Sequence, residues 1–133
     1  MIETVVVLTV LAILAGATVA SMIALRDRTA VRLAATDVTH LFADARSMAL
    51  SAARRTAVRL DVSENMLVVV AGDDTLRTLH LREYGVTMRT TRDSVAYGPT
   101  GIGWGANTAT ITLSRRSATA SLAVSRVGRV RRS

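Results

Sequence analysis

Arg129 and Arg131 lie two residues apart near the C-terminal end, with Val130 between them and Gly128 before them. In an extended chain that spacing sends both guanidiniums to one side, roughly 7 Å apart, which suits a pair of phosphates. Gly128 allows a turn or a close backbone approach just ahead of them. Arg132, Arg126, Arg115 and Arg116 are expected to widen the patch. The same residues also fit a solvated edge strand, whose charges discourage sheet-to-sheet pairing. Aromatic residues make up only 3% of the chain, which leaves little for base stacking, so any nucleic-acid contact would be sequence-tolerant and salt-sensitive.

Other chemistry-bearing residues are few. Asp73 and Asp74 follow Gly72 and fit either calcium ligands or, more commonly, a turn. His40 and His80 have no cysteine to join them, because the chain has none, and disulfides, thiolate metal sites and thiol nucleophiles are excluded with it. No serine-centred signature, Gly-rich phosphate loop, paired-carboxylate catalytic site or zinc spacing occurs. The expectation is a non-enzyme with no catalytic residues, no cofactor and no metal site. Trp104, within "GIGWGAN", fits a partner anchor at a loop tip and a lid on the core equally well.

Glu3 is the remaining candidate, and it stands at the mouth of a run without any ionisable side chain from Thr4 to Leu25. As a helix those 22 residues span roughly 33 Å, enough to cross a bilayer's hydrocarbon core. A carboxylate carried to the membrane centre costs on the order of 3 kcal/mol, so it requires a partner or a role. A cleaved secretory signal would begin with basic residues and have a shorter apolar core. A retained membrane helix fits better.

The elements that must position these residues follow from periodicity. Through Arg26 to Arg55, the residues Val31, Ala35, Val38, Phe42, Ala45, Met48 and Ala52 recur at steps of three and four, with Asp27, Arg28, Arg32, Asp37, Asp44 and Arg55 mostly off that stripe. Abundant alanine and the absence of Pro favour one helix from near residue 2 to about residue 54. Afterwards the period becomes two in "TAVRLDV", "LRTLHLR", "TATITLS" and "ATASLAVS", with a short apolar run at "NMLVVVA", turns at "SEN", "GDD" and "RRS" and a final strand or tail at "VGRVRR". Residues 98–107 are too glycine-rich for a strand. The expected fold is α+β, with a long N-terminal helix packed on six or seven short antiparallel strands. It divides into an apolar segment, 1–25, and a soluble domain, 26–133, made of amphipathic helix 26–55 and strands 56–133. The last 40 residues hold six arginines and no acid, so nearly all of the net charge of +7 lies there, an asymmetry that suggests an anionic partner or an arginine-decorated solvated surface.

This design resembles the type IV pilins and the type II secretion pseudopilins. "MIETVVVLTVLAILAG" is similar to the prepilin N-terminal segment, with Met1, Ile2 and Glu3 on the last three positions of its Phe-Thr-Leu-Ile-Glu start. "LFADARSMALSAARRTAVRL" and the closing "GRVRR" are similar to the helix–sheet junction and the Gly-Arg-x-Arg ending of the GspH/FimT family. The resemblance implies a minor pseudopilin or minor pilin, with other pilins and the bacterial inner membrane as partners and the C-terminal domain in the periplasm. It implies that Glu3 pairs with the free N-terminal amine of a neighbouring subunit. For FimT-type members it also implies an alternative, DNA capture, through Gly128, Arg129, Arg131 and Arg132. A basic leader ending in Gly is expected upstream, because Glu3 is already the third residue. Arg26, Arg28 and Arg32 follow the apolar run, and by the positive-inside rule alone they place the domain in the cytoplasm; a basic leader restores the family's topology.

Overall fold

The computed structural model describes residues 1–105 and 107–133. One helix, α1, runs from Ile2 to Ala52, roughly 77 Å at the usual rise. It ends where Ala53 takes a left-handed conformation (φ 49°) and the amide of Arg54 bonds back to the Ala49 carbonyl. The first half of α1 projects alone: every residue from Ile2 to Arg26 is exposed. The second half buries Val31, Ala34, Ala35, Val38, Leu41, Phe42, Ala45 and Ala49. Four of those eight are alanines, which let the helix axis lie close to the strands beneath it.

The stripe differs from the expected one in three places. Met48 is half-buried and Ala52 exposed, because the last inward turn is completed by Ala49 instead. Asp27, expected off the stripe, is buried on it.

Among the described residues eight antiparallel strands follow, in two four-stranded sheets. The first has the order β3-β2-β1-β5, with β1 Thr56–Asp61, β2 Met66–Ala71, β3 Asp74–His80 and β5 Ser94–Tyr97; the second is β4-β6-β7-β8, with β4 Thr87–Thr90, β6 Ala109–Arg115, β7 Ala118–Val124 and β8 Val130–Arg132. The six or seven expected strands missed β4 and β5, each four residues long. Inward residues alternate as a half-buried sheet requires: Val58 and Leu60 on β1, Leu67 and Val69 on β2, Ile111 and Leu113 on β6, Leu122 and Val124 on β7. They close over Phe42 and Leu41 of α1 in one core.

β3 breaks the alternation. Val69 faces Arg77 and Val70 faces Thr75, so Leu76 is an extra, bulged residue and sits exposed. The strand ends at His80, and Leu81 is buried as the start of a 3₁₀ turn, Leu81–Tyr84. Asn65 joins the two sheets: it donates from its side-chain amide to the Val86 carbonyl and accepts from the Met88 amide at 3.0 Å.

Candidate functional site

The arginine pair sits where the chain leaves β7, turns and returns as β8. The Gly128 amide donates to Ser125 O (2.9 Å) and the Ser125 amide to Arg129 O (2.7 Å), which closes the turn. Gly128 is buried at φ +83°, and a β-carbon there would collide with the Tyr97 ring. The Tyr97 hydroxyl donates to the Gly128 carbonyl at 2.8 Å. Burial pushes the Tyr97 phenol up to about 12, with Arg46 opposing the shift. Gly128 therefore serves both a turn and a close approach, and it fixes the direction in which β8 departs.

Along β8 the side chains alternate. Val130 is half-buried against the core, while Arg129 before it and Arg131 after it are both exposed. Arg131 is opposite Ala123, itself exposed. Arg129 borders a shallow groove of about 310 Å³ between β8 and α1, shared with Phe42, Arg46 and Tyr97. Among the described residues neither Arg129 nor Arg131 forms an ion pair.

Of the other arginines expected to widen this patch, the structure leaves only Arg126 beside the pair. Arg126 is exposed on the same turn. Arg132 borders a separate cleft with Arg28 and Arg32. Arg115 and Arg116, at the tip of the β6–β7 hairpin, reach the helix instead. Arg115 Nε lies 2.9 Å from Asp27 Oδ1, and Arg116 Nη1 lies 3.0 and 3.1 Å from the two carboxylate oxygens. The Asp27 side chain is only 4% exposed. Arg115 Nη1 also donates to the Tyr84 carbonyl at 2.7 Å. The Tyr84 hydroxyl in turn donates to the Asp37 carboxylate, which pushes the phenol up to about 12. This network ties the hairpin tip to α1 two residues beyond the apolar run. The signal in the sequence was an acid four residues before Val31, on the apolar stripe itself.

Glu3 lies in the first turn of α1, exposed and beyond reach of the domain. A carboxylate in that turn interacts favourably with the helix dipole. Asp73 occupies the two-residue β2–β3 turn with Gly72, and Asp74 faces Arg54 at 3.6 Å. His40 and His80 are exposed. Trp104 is 54% exposed on the loop after β5, with the Arg55 guanidinium 5.8 Å from its ring centre.

No protein-family model matches the sequence, and no curated protein matches it. Solved structures do match. The type IV minor pilin FimU of Pseudomonas aeruginosa superposes with a TM-score of 0.67 at 18% identity, covering 80% of this chain and 90% of that one. The minor pseudopilin EpsH from the type II secretion system of Vibrio cholerae superposes with TM-scores of 0.64 and 0.61 in two structures, at 9% and 12% identity. Those alignments cover 80% and 77% of this chain and 97% and 95% of EpsH. The chain has the minor-pilin and minor-pseudopilin fold.

In this fold the apolar half of α1 and the β7–β8 turn lie at opposite ends of the packed helix. Asp27 and the β6–β7 tip mark the end nearer the apolar run, and Leu50, Trp104 and Gly128 mark the far end. Leu50 contacts Gly101 there so closely that a β-carbon on the glycine would stand 2.8 Å from its Cγ.

Proposed function

We propose that this chain is a minor pilin or minor pseudopilin, a non-enzymatic subunit of a type IV pilus or type II secretion filament. Residues 2–25 hold it in the bacterial inner membrane, and residues 26–133 stand in the periplasm. The observation that carries this reading is the bare apolar rod. An uncharged helix of membrane length, with no part packed on its own domain, is stable only in lipid or against other helices. Glu3 fits an assembly role, since a carboxylate at that position is neutralised when a neighbouring subunit's α-amine stacks in register. The chain has no cysteine, so a single engineered one reports cleanly. Gly16→Cys should crosslink in cells to the rods of other pilin-like subunits, and Glu3→Ala should reduce that yield several-fold. A rod that crosslinks to none of them removes the proposal.

A second reading is DNA capture through Arg129 and Arg131. It is favoured by their exposure on an outermost strand without carboxylate partners among the described residues. In gel shifts with duplex DNA, Arg129→Ala/Arg131→Ala should weaken binding and lower the salt slope by about 2. Equal binding by both proteins at low salt would eliminate the pair from that role.

A further inference from the structure

A second cluster of arginines lies at the end of the domain nearest the apolar run. Arg28 and Arg32, one turn apart on α1, face Arg132 of β8 across a polar cleft of about 370 Å³, with Ser117 and Thr119 of the β6–β7 hairpin along its wall. All three arginines are exposed, and among the described residues none pairs with a carboxylate. Asp27, next to Arg28 in the chain, is buried and occupied by Arg115 and Arg116, so it does not neutralise the cleft.

We propose that this cleft is a docking surface for the anionic phospholipid headgroups of the bilayer that α1 crosses. The inference rests on the membrane-anchored reading above and adds to it the partner of a particular surface. Position supports it. Arg28 and Arg32 stand about 4.5 and 10 Å along the helix axis beyond Leu25. The headgroup layer on each side of the hydrocarbon core is roughly 5–8 Å thick. A guanidinium reaching back toward the helix N-terminus, as helical side chains do, therefore meets lipid phosphate rather than bulk water. Chemistry supports it too: guanidinium forks match phosphate oxygens, and the Ser117 and Thr119 hydroxyls add neutral donors. Arg132 brings the last strand into the same contact, so headgroup binding fixes the tilt of the whole domain over the membrane.

The test uses the full chain in nanodiscs of phosphatidylcholine alone or mixed with phosphatidylglycerol, with a headgroup-linked quencher and a fluorophore on Thr29→Cys, an exposed position beside the cleft. Phosphatidylglycerol should raise quenching several-fold. Arg28→Gln, Arg32→Gln and Arg132→Gln should each raise the phosphatidylglycerol fraction needed for half-maximal quenching about fivefold. A second label at Leu14→Cys reports insertion through its protection from an aqueous quencher. If Leu14→Cys is protected but Thr29→Cys responds equally to both lipids, or the arginine variants change nothing, headgroup docking is refuted while the anchor stands. Exposure of Leu14→Cys to water refutes the anchor and the docking together. Displacement of the quenching by inorganic phosphate at constant ionic strength assigns the cleft to free anions, and displacement by duplex DNA assigns it to nucleic acid; either outcome overturns the proposal.

Discussion

Replacing Asp27 by Asn should loosen the domain at the end nearest the apolar run, and the structure sets the size of the effect. The Asp27 carboxylate is almost wholly buried and is held by two arginines of unequal burial, Arg115 at 28% and Arg116 at 65% side-chain exposure. Removing one member of a fully buried pair costs roughly 3–5 kcal/mol, mostly as the penalty of the stranded charge. Here water reaches Arg115 partly and Arg116 freely, so Asp27→Asn should cost less, about 2–3 kcal/mol. Arg115→Ala should cost about 3 kcal/mol, because it removes both the Nε bond to the carboxylate and the bond to the Tyr84 carbonyl. Arg116→Ala should cost less than about 1 kcal/mol. A domain of this size is stable by roughly 5–15 kcal/mol, so the first two substitutions should lower Tm by on the order of 10–20 °C. Thermal unfolding of the full chain in neutral detergent, followed by near-ultraviolet circular dichroism, reads the domain without interference from the micelle-bound helix. A fall of less than about 2 °C for Asp27→Asn, or equal losses for Arg115→Ala and Arg116→Ala, would mean that the buried carboxylate does not hold the hairpin tip.

Three further outcomes are expected. Gly128→Ala must hold a left-handed φ and displace the Tyr97 ring, so it should cost about 3 kcal/mol by urea unfolding, against about 1 kcal/mol for Tyr97→Phe, which loses only one hydrogen bond. Both tyrosines have phenols raised to about 12, so they favour the folded state fully below the ordinary phenol value and lose that contribution as pH rises through about 12. An alkaline absorbance titration should therefore show no phenolate near pH 10, and ionisation should coincide with unfolding; a normal phenol titrating in the folded chain would contradict the burial of Tyr97 and the Asp37 contact of Tyr84. Arg55→Ala should shift the emission of Trp104 while changing stability by less than about 1 kcal/mol, as expected for an exposed cation–π pair.

The long helix was legible because two signals agreed over fifty residues: an uncharged run, then an apolar stripe of helical period. The alternation of β1, β6 and β7 was legible for the same reason, each strand having one face in the core. β4 and β5 were not, since four residues of Thr-Met-Arg-Thr or Ser-Val-Ala-Tyr hold too few alternations to stand out from a turn. β3 is legible as a strand but its faces are not, because the bulge at Leu76 inverts them in mid-strand and only the partner strand reveals it. In the sequence Asp27 reads as a solvent-facing acid, because charge usually marks the outer face of a helix. Its partners are 88 and 89 residues away, and no local pattern announces them. The Asn65 link between the sheets, across 21 and 23 residues, and the Tyr84–Asp37 contact, across 47, are equally absent from any local pattern.

The C-terminal charge excess shows how folding redistributes what composition places together. Six arginines follow residue 93 without an acid among them, which as a linear sequence reads as one basic surface. The fold sends them to three places. Arg115 and Arg116 neutralise a buried carboxylate and hold the β6–β7 tip against α1. Arg132 joins Arg28 and Arg32 in the cleft beside the apolar run. Arg126, Arg129 and Arg131 remain exposed on the β7–β8 turn and strand. Substituting all six would therefore unfold one contact while testing two others, and a loss of anion binding in such a variant would have no single cause. The groups separate when taken apart: Arg115 and Arg116 should govern Tm, Arg132 should govern the response to lipid charge, and Arg129 with Arg131 should govern any salt-dependent association with DNA. A variant of the last pair that lowered Tm as Arg115→Ala does would mean that the turn, and not only the hairpin tip, is held by charge.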